Sequence, residues 1–112
     1  MTDERLRVCD ADDLPPGERV LVAVDDRPVC VCNVDGEYYA IEHECAHRGG
    51  PICSGEVESA GDADRRATGP VVTCPWHGWR YDLATGDHLG AADASLWTPA
   101  VVVESGVVFL EV

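Results

Sequence analysis

Residues 20–41 read VLVAVDDRPVCVCNVDGEYYAI, and this stretch decides the fold class. Apolar, β-branched runs at 20–24 and 29–34 are joined by Asp25-Asp26-Arg27-Pro28, residues suited to a tight reversal. Asp35-Gly36 then turns the chain into a third run at 38–41. Working outward, the same grammar recurs and no helical period is sustained. A short edge strand is expected at 6–8, followed by a polar loop at 12–18. Runs at 71–74 and 79–83 make a second hairpin-like region, and Thr85-Gly86 is a further turn. Runs at 101–103 and 107–112 flank Glu104-Ser105-Gly106 as a closing hairpin. Strands this short and numerous predict an all-β, antiparallel sandwich or barrel. Residues 58–70, ESAGDADRRATGP, are polar, small and strand-poor, and read as a surface insertion. There is no internal repeat and no linker, and 112 residues suit a single domain spanning 1–112.

The charge is lopsided. Asp and Glu total 21 against eight cationic side chains, all of them Arg, for a formal net charge of −13. Such a surface repels nucleic acid and anionic membranes, so neither is an expected partner. It suits docking on a basic protein surface, and equally a solvating shell for high salt; the two readings are compatible. The charged opening Met1-Thr2-Asp3-Glu4-Arg5 is not followed by a long apolar run, which predicts neither a signal peptide nor a membrane span. The expected compartment is the cytoplasm, where thiols stay reduced. Six cysteines there point to metal or redox chemistry more than to a disulfide scaffold.

Two segments carry that chemistry: Cys45-Ala46-His47-Arg48-Gly49-Gly50-Pro51 and Cys74-Pro75-Trp76-His77-Gly78-Trp79. Each sets a Cys and a His in a Gly- and Pro-rich turn that lets the backbone wrap closely around a bound group. Each follows a predicted strand, so each projects from a sheet. Two thiolates and two imidazoles suit either a tetrahedral Zn²⁺ or an iron–sulfur cluster. The remaining cysteines have blander readings. Cys30 and Cys32, two apart on a strand and so on one face, read as small buried core residues, as does Cys9. Cys53 reads as a packed thiol.

The paired boxes are similar to the two cluster-binding boxes of Rieske iron–sulfur proteins, and particularly of the Rieske-type ferredoxins that serve multicomponent oxygenases. The resemblance extends to Pro16-Gly17-Glu18, to Asp35-Gly36-Glu37 before Tyr38-Tyr39-Ala40-Ile41, and to Tyr81-Asp82-Leu83-Ala84-Thr85-Gly86. It covers almost the whole chain. It implies a Rieske β-sandwich with a small inserted cluster-binding subdomain at about 43–83. It also implies one [2Fe–2S] cluster, with Cys45 and Cys74 on one iron and His47 and His77 on the other. Trp76, Gly78 and the paired glycines favour the cluster over Zn²⁺ in the same four ligands. One departure from the family is the 26 residues between His47 and Cys74, more than usual, with the excess falling in the insertion. Loop closure costs rise slowly with length, so the boxes are still expected to converge.

Replacing two thiolates by neutral imidazoles leaves the oxidised cluster uncharged and raises its potential into a range of roughly −150 to +300 mV. High-potential relatives carry a disulfide between the boxes and a Ser after the second His-Gly. The matching positions here are Gly50, Trp76 and Trp79, which predicts the low end of the range, with the Tyr81 hydroxyl as a remaining donor. His43 and His88 read as surface residues. Trp76 and Trp79 read either as core filling or as an apolar docking platform. Glu42, Glu44, Glu56 and Glu58 flank the first box as candidates for steering a basic partner. No catalytic triad or nucleotide fingerprint is present, and the chain has no room for a mononuclear-iron domain. The resemblance therefore implies a monomeric electron carrier between a reductase and a terminal oxygenase, not an enzyme by itself. A small subunit of an assimilatory NAD(P)H nitrite reductase is the alternative, and a Zn-stabilised interaction module a third.

Overall fold

The computed structural model of the protein describes residues 5–44, 51–59, 69–76, 78–89 and 95–111. The described residues form nine strands: β1 (Arg5–Asp10), β2 (Arg19–Val24), β3 (Arg27–Val34), β4 (Glu37–Glu42), β5 (Glu56–Glu58), β6 (Val71–Thr73), β7 (Arg80–Asp82), β8 (Ala100–Glu104) and β9 (Val107–Glu111). The helical segments among them are two short 3-10 turns, Ala11–Asp13 and Ile52–Ser54. All pairing is antiparallel, in three three-stranded sheets ordered β1-β9-β8, β2-β3-β4 and β5-β6-β7. The all-β expectation holds. No helix of the described residues is long and apolar enough to cross a membrane.

Hairpin turn chemistry sets the registers. Asp25 and Asp26, Asp35 and Gly36, and Ser105 and Gly106 all take positive φ at the tips of β2–β3, β3–β4 and β8–β9. Two-residue turns with both centres left-handed match the natural twist of paired strands. The first turn is therefore tighter than the four residues expected, because Arg27 and Pro28 already belong to β3, opposite Val24 and Ala23.

The middle sheet is buried on both faces, which is why β3 reads as an unbroken apolar run. Side chains alternate along a strand, so its two faces fill two different cores. Val29 and Val31 of β3 and Ala40 of β4 join Leu14, Val24, Val108 and Leu110 in an aliphatic core under β1, β8 and β9. Cys30 and Cys32 of β3 and Ile41 of β4 turn the other way, toward Ile52, Val72, Cys74, Tyr81, Leu83 and Leu96. This second core is rich in sulfur and aromatic groups and lies under β5, β6 and β7. A buried Asn33 supports the same sheet: its side-chain amide donates to the Leu14 carbonyl at 2.9 Å and accepts from Gly36 N–H at 2.8 Å.

β5 and the turn Ile52–Ser54 have no counterpart in the sequence reading. Glu58, expected to open the insertion, closes β5 and pairs with Val71. The middle of that insertion, 60–68, lies outside the described residues.

Candidate metal centre

The second box grows directly out of a strand pair. Thr73 of β6 faces Arg80 of β7, and the ladder continues one step further, with Cys74 N–H donating to the Trp79 carbonyl at 2.7 Å. Gly78 N–H then folds back to the Cys74 carbonyl at 3.0 Å. Gly78 takes φ +74°, a conformation open to glycine and strained for other residues. Cys74 is 1% exposed at the mouth of this loop. Beside it in the same core lies fully buried Tyr81. Downstream, Asp82 Oδ1 accepts from Ala84 N–H at 2.8 Å, and Leu96 N–H donates at 2.8 Å to the carbonyl of Gly86, which takes φ +83°. A Cβ on Gly86 would lie 2.0 Å from the Leu96 carbonyl oxygen, so this turn accepts glycine alone.

The first box is bracketed from both sides. Glu44 and Pro51 pair as an isolated bridge, so the chain ends flanking 45–50 lie side by side. Ile52 N–H donates to the His43 carbonyl at 2.8 Å and Cys53 N–H to His43 Nδ1 at 3.2 Å. Arg19 of β2 donates to the carbonyls of both Cys53 and Gly55. Beyond that anchor the chain becomes β5, and Glu56, Val57 and Glu58 pair with Thr73, Val72 and Val71. The segment leaving the first box thus runs beside the strand entering the second. Of the four expected ligands, Cys74 is described; Cys45, His47 and His77 lie outside the described residues.

Several neighbouring residues take roles that differ from the sequence reading. Cys30 and Cys53 are joined in a disulfide, with Cα atoms 5.4 Å apart, where both had read as packed thiols. Cys32 does match its reading: it is a buried thiol, and burial pushes its pKa up to about 11 despite the opposing pull of Arg19. Cys9 is half-buried against the aliphatic core. His43 is half-buried, and its Nδ1 accepts the bond from Cys53 N–H. His88 is half-buried, its ring 4.4 Å from that of Trp79 and 5.5 Å from that of Tyr81. Its Nδ1 is buried with no hydrogen-bond partner among the described residues. No residue spacing signals either role, because both arise from contacts between distant strands.

The two tryptophans divide between the two readings: Trp76 is 58% exposed, while Trp79 packs on the sulfur-rich core. Among the four glutamates, Glu42 is a structural residue. Its carboxylate accepts from Trp97 N–H at 2.7 Å and pairs with Arg27 at 2.9 Å, and that guanidinium stacks 4.5 Å from the Trp97 ring centre. Glu44, Glu56 and Glu58 remain exposed beside the boxes.

The model of the Rieske [2Fe-2S] domain matches residues 4–96 of this chain. The chain belongs to the Rieske family. A Rieske domain carries one [2Fe–2S] cluster, and the donor set at 45, 47, 74 and 77 suits that group, with Cys74 already sequestered in an apolar, sulfur-rich core. A human Rieske domain-containing protein is 41% identical over 78 residues, covering 70% of this chain and 46% of that protein. The chain thus spans about half the length of that relative. The 3-phenylpropionate/cinnamic acid dioxygenase ferredoxin subunit of Escherichia coli K12 is 35% identical over 109 residues, covering 96% and 92% of the two chains. The solved complex of reduced oxygenase and oxidized ferredoxin in carbazole 1,9a-dioxygenase contains a chain of like fold. That chain is 28% identical, with a TM-score of 0.79 over 98% of this chain and 94% of that one.

Proposed function

We infer that this protein is a one-electron carrier whose [2Fe–2S] cluster is held by Cys45 and Cys74 on one iron and His47 and His77 on the other. It takes electrons from a flavin-dependent reductase and passes them to a terminal oxygenase acting on aromatic or similar substrates. The observation that carries this reading is the β5–β6 pairing, which ties the segment after the first box to the strand before the second. Support also comes from the Escherichia coli relative, a dioxygenase ferredoxin subunit matched over 92% of its own length. The presence of all four ligand residues favours the carrier over the nitrite reductase subunit.

The cluster supplies a one-electron couple at modest potential. The chain's own residues do the rest. Val72, Tyr81 and Leu83 exclude water from the inner side of the second box. Trp76 offers an exposed apolar face beside Cys74, of the kind that anchors protein interfaces. Exposed Glu44, Glu56 and Glu58 favour a basic partner surface and raise the encounter rate. With Gly50, Trp76 and Trp79 in place of the disulfide and hydroxyl of high-potential relatives, the midpoint lies toward the low end of the Rieske range. Protein-film voltammetry giving a strongly positive value would contradict that placement.

The test of function uses a candidate flavin-dependent reductase and a candidate terminal oxygenase. Stopped-flow mixing is expected to show rapid reduction by the reductase, then reoxidation by the oxygenase with product formation that depends on this carrier. Reduction without any transfer to the oxygenase would sink the reading.

A further inference from the structure

The disulfide between Cys30 and Cys53 lies in the same core as Cys74 and links sequence positions 23 apart. Its Cα separation of 5.4 Å falls inside the range that a bridge spans without moving the backbone. Contacts that need no sulfur hold both sides of it. β3 is paired on both edges, by β2 and by β4. The Cys53 side is fixed by Arg19 on the Cys53 and Gly55 carbonyls and by the two bonds to His43. Opened, the two thiols would therefore stay opposite each other, in position to close again. The covalent loop between them contains residues 45–50, and so the whole Cys-x-His element of the first box.

We propose that Cys30 and Cys53 are a reversible dithiol–disulfide couple, a two-electron centre distinct from the cluster, whose closed form slows loss of the cluster from the first box. The couple itself stands on the disulfide geometry, while its effect on the cluster rests on the ligand assignment above. A dithiol of the thioredoxin class opens it. The entering thiolate bonds to half-buried Cys53, because Cys30 is only 3% exposed. The bond to Cys30 breaks, and Cys30 leaves as a thiolate and takes a proton. The second thiol of the reductant, giving up its proton, then displaces Cys53 and leaves as part of the oxidised reductant. Two electrons and two protons reach the pair. Glutathione disulfide closes it by the reverse path. Cys53 thiolate attacks and releases one glutathione, Cys30 thiolate displaces the second, and the disulfide re-forms. The neighbouring Cys32 thiol, pushed up to about 11 by burial, shows how poorly this core accommodates a thiolate. A leaving group there departs slowly, so the couple changes state slowly.

The test takes the cluster-loaded protein through graded glutathione redox buffers under argon, followed by an acid quench, alkylation, digestion and mass spectrometry. A cross-linked peptide containing Cys30 and Cys53 is expected in oxidised glutathione and absent after dithiothreitol. No such peptide at any ratio, or a different pairing such as Cys32 with Cys53, would overturn the couple. This arm reads the cysteines whether or not a cluster is present. In a second arm, bleaching of the visible absorbance by an iron chelator is followed for the closed and opened forms. Bleaching several-fold slower in the closed form is expected, with Cys53→Ala bleaching at the fast rate in both buffers. Equal rates for the two wild-type forms, or a dithiothreitol effect just as large in Cys53→Ala, would refute the retention role.

Discussion

β3 separates two cores that differ in chemistry. The face carrying Val29 and Val31 meets Leu14, Val24, Val108 and Leu110, an aliphatic set with no titratable group among its fully buried members. The face carrying Cys30 and Cys32 meets Cys74, Tyr81 and Ile52, with Cys53 and Trp79 at its margin. Among the described residues, the second core holds Cys74 and Trp79 of the second box and Ile52 and Cys53, which follow the first. One strand thus supports a scaffold on one side and redox chemistry on the other, and the period-2 alternation of its sequence assigns each residue its side. Substitutions on the aliphatic face are expected to cost stability alone. On the other face, stability and the metal centre are coupled.

The sharpest break in that comparison is at the ligands. Cys45→Ser, His47→Ala, Cys74→Ser and His77→Ala should each reduce bound iron and visible absorbance to near zero, while Cys9→Ala leaves both intact. Iron retained in Cys74→Ser would remove the second box from the site. Next in size are matched core truncations. Leu110→Ala and Ile52→Ala both empty fully buried sites and should each cost about 2–5 kcal/mol in denaturant melts. Only Ile52→Ala should also hasten cluster loss, since Ile52 follows the first box. If Leu110→Ala hastens it equally, the two cores are not functionally separate.

The strand pattern was legible because alternation, β-branching and Asp-Gly or Ser-Gly turns are local signals, and β2, β3, β4, β8 and β9 all stand where those signals fall. The two boxes were legible through their spacing and the resemblance that it carries. The Cys30–Cys53 bridge was not, since it joins a strand to a 3-10 turn that no local pattern announces. Nor were the roles of His43, His88 and Glu42, whose partners lie on other elements: Cys53, Trp79 and Tyr81, and Trp97. β5 was hidden because three residues rich in glutamate make a strand only against β6.

A smaller effect follows from Cys32. Its thiol is raised from 9.0 to about 11, chiefly by burial. The folded state resists ionisation that the unfolded chain permits, so this contribution is whole below about pH 9 and is lost as pH rises toward 11. The loss amounts to about 3 kcal/mol. Urea melts across that window should show a falling stability whose slope flattens in Cys32→Ala; an unchanged slope would place the titration elsewhere. Smallest is the effect of salt. A net charge of −13 opposes compaction, and about 1 M KCl shortens the Debye length to roughly 3 Å. The melting temperature should rise by a few degrees with KCl, while the rate of reduction by a basic reductase falls. A flat melting temperature would defeat the self-repulsion argument, and a flat rate would defeat steering.

The proposed centre is a single [2Fe–2S] cluster with two histidine ligands, held by two Cys–His boxes, one before β5 and one after β6. It is tested most directly on protein expressed with ample iron and purified without oxygen, by iron and sulfide analysis together with EPR of the reduced form. A reddish-brown protein with two irons and two sulfides per chain is expected, with an anisotropic signal of low average g, as imidazole ligation produces. A colourless protein carrying one zinc per chain would contradict it.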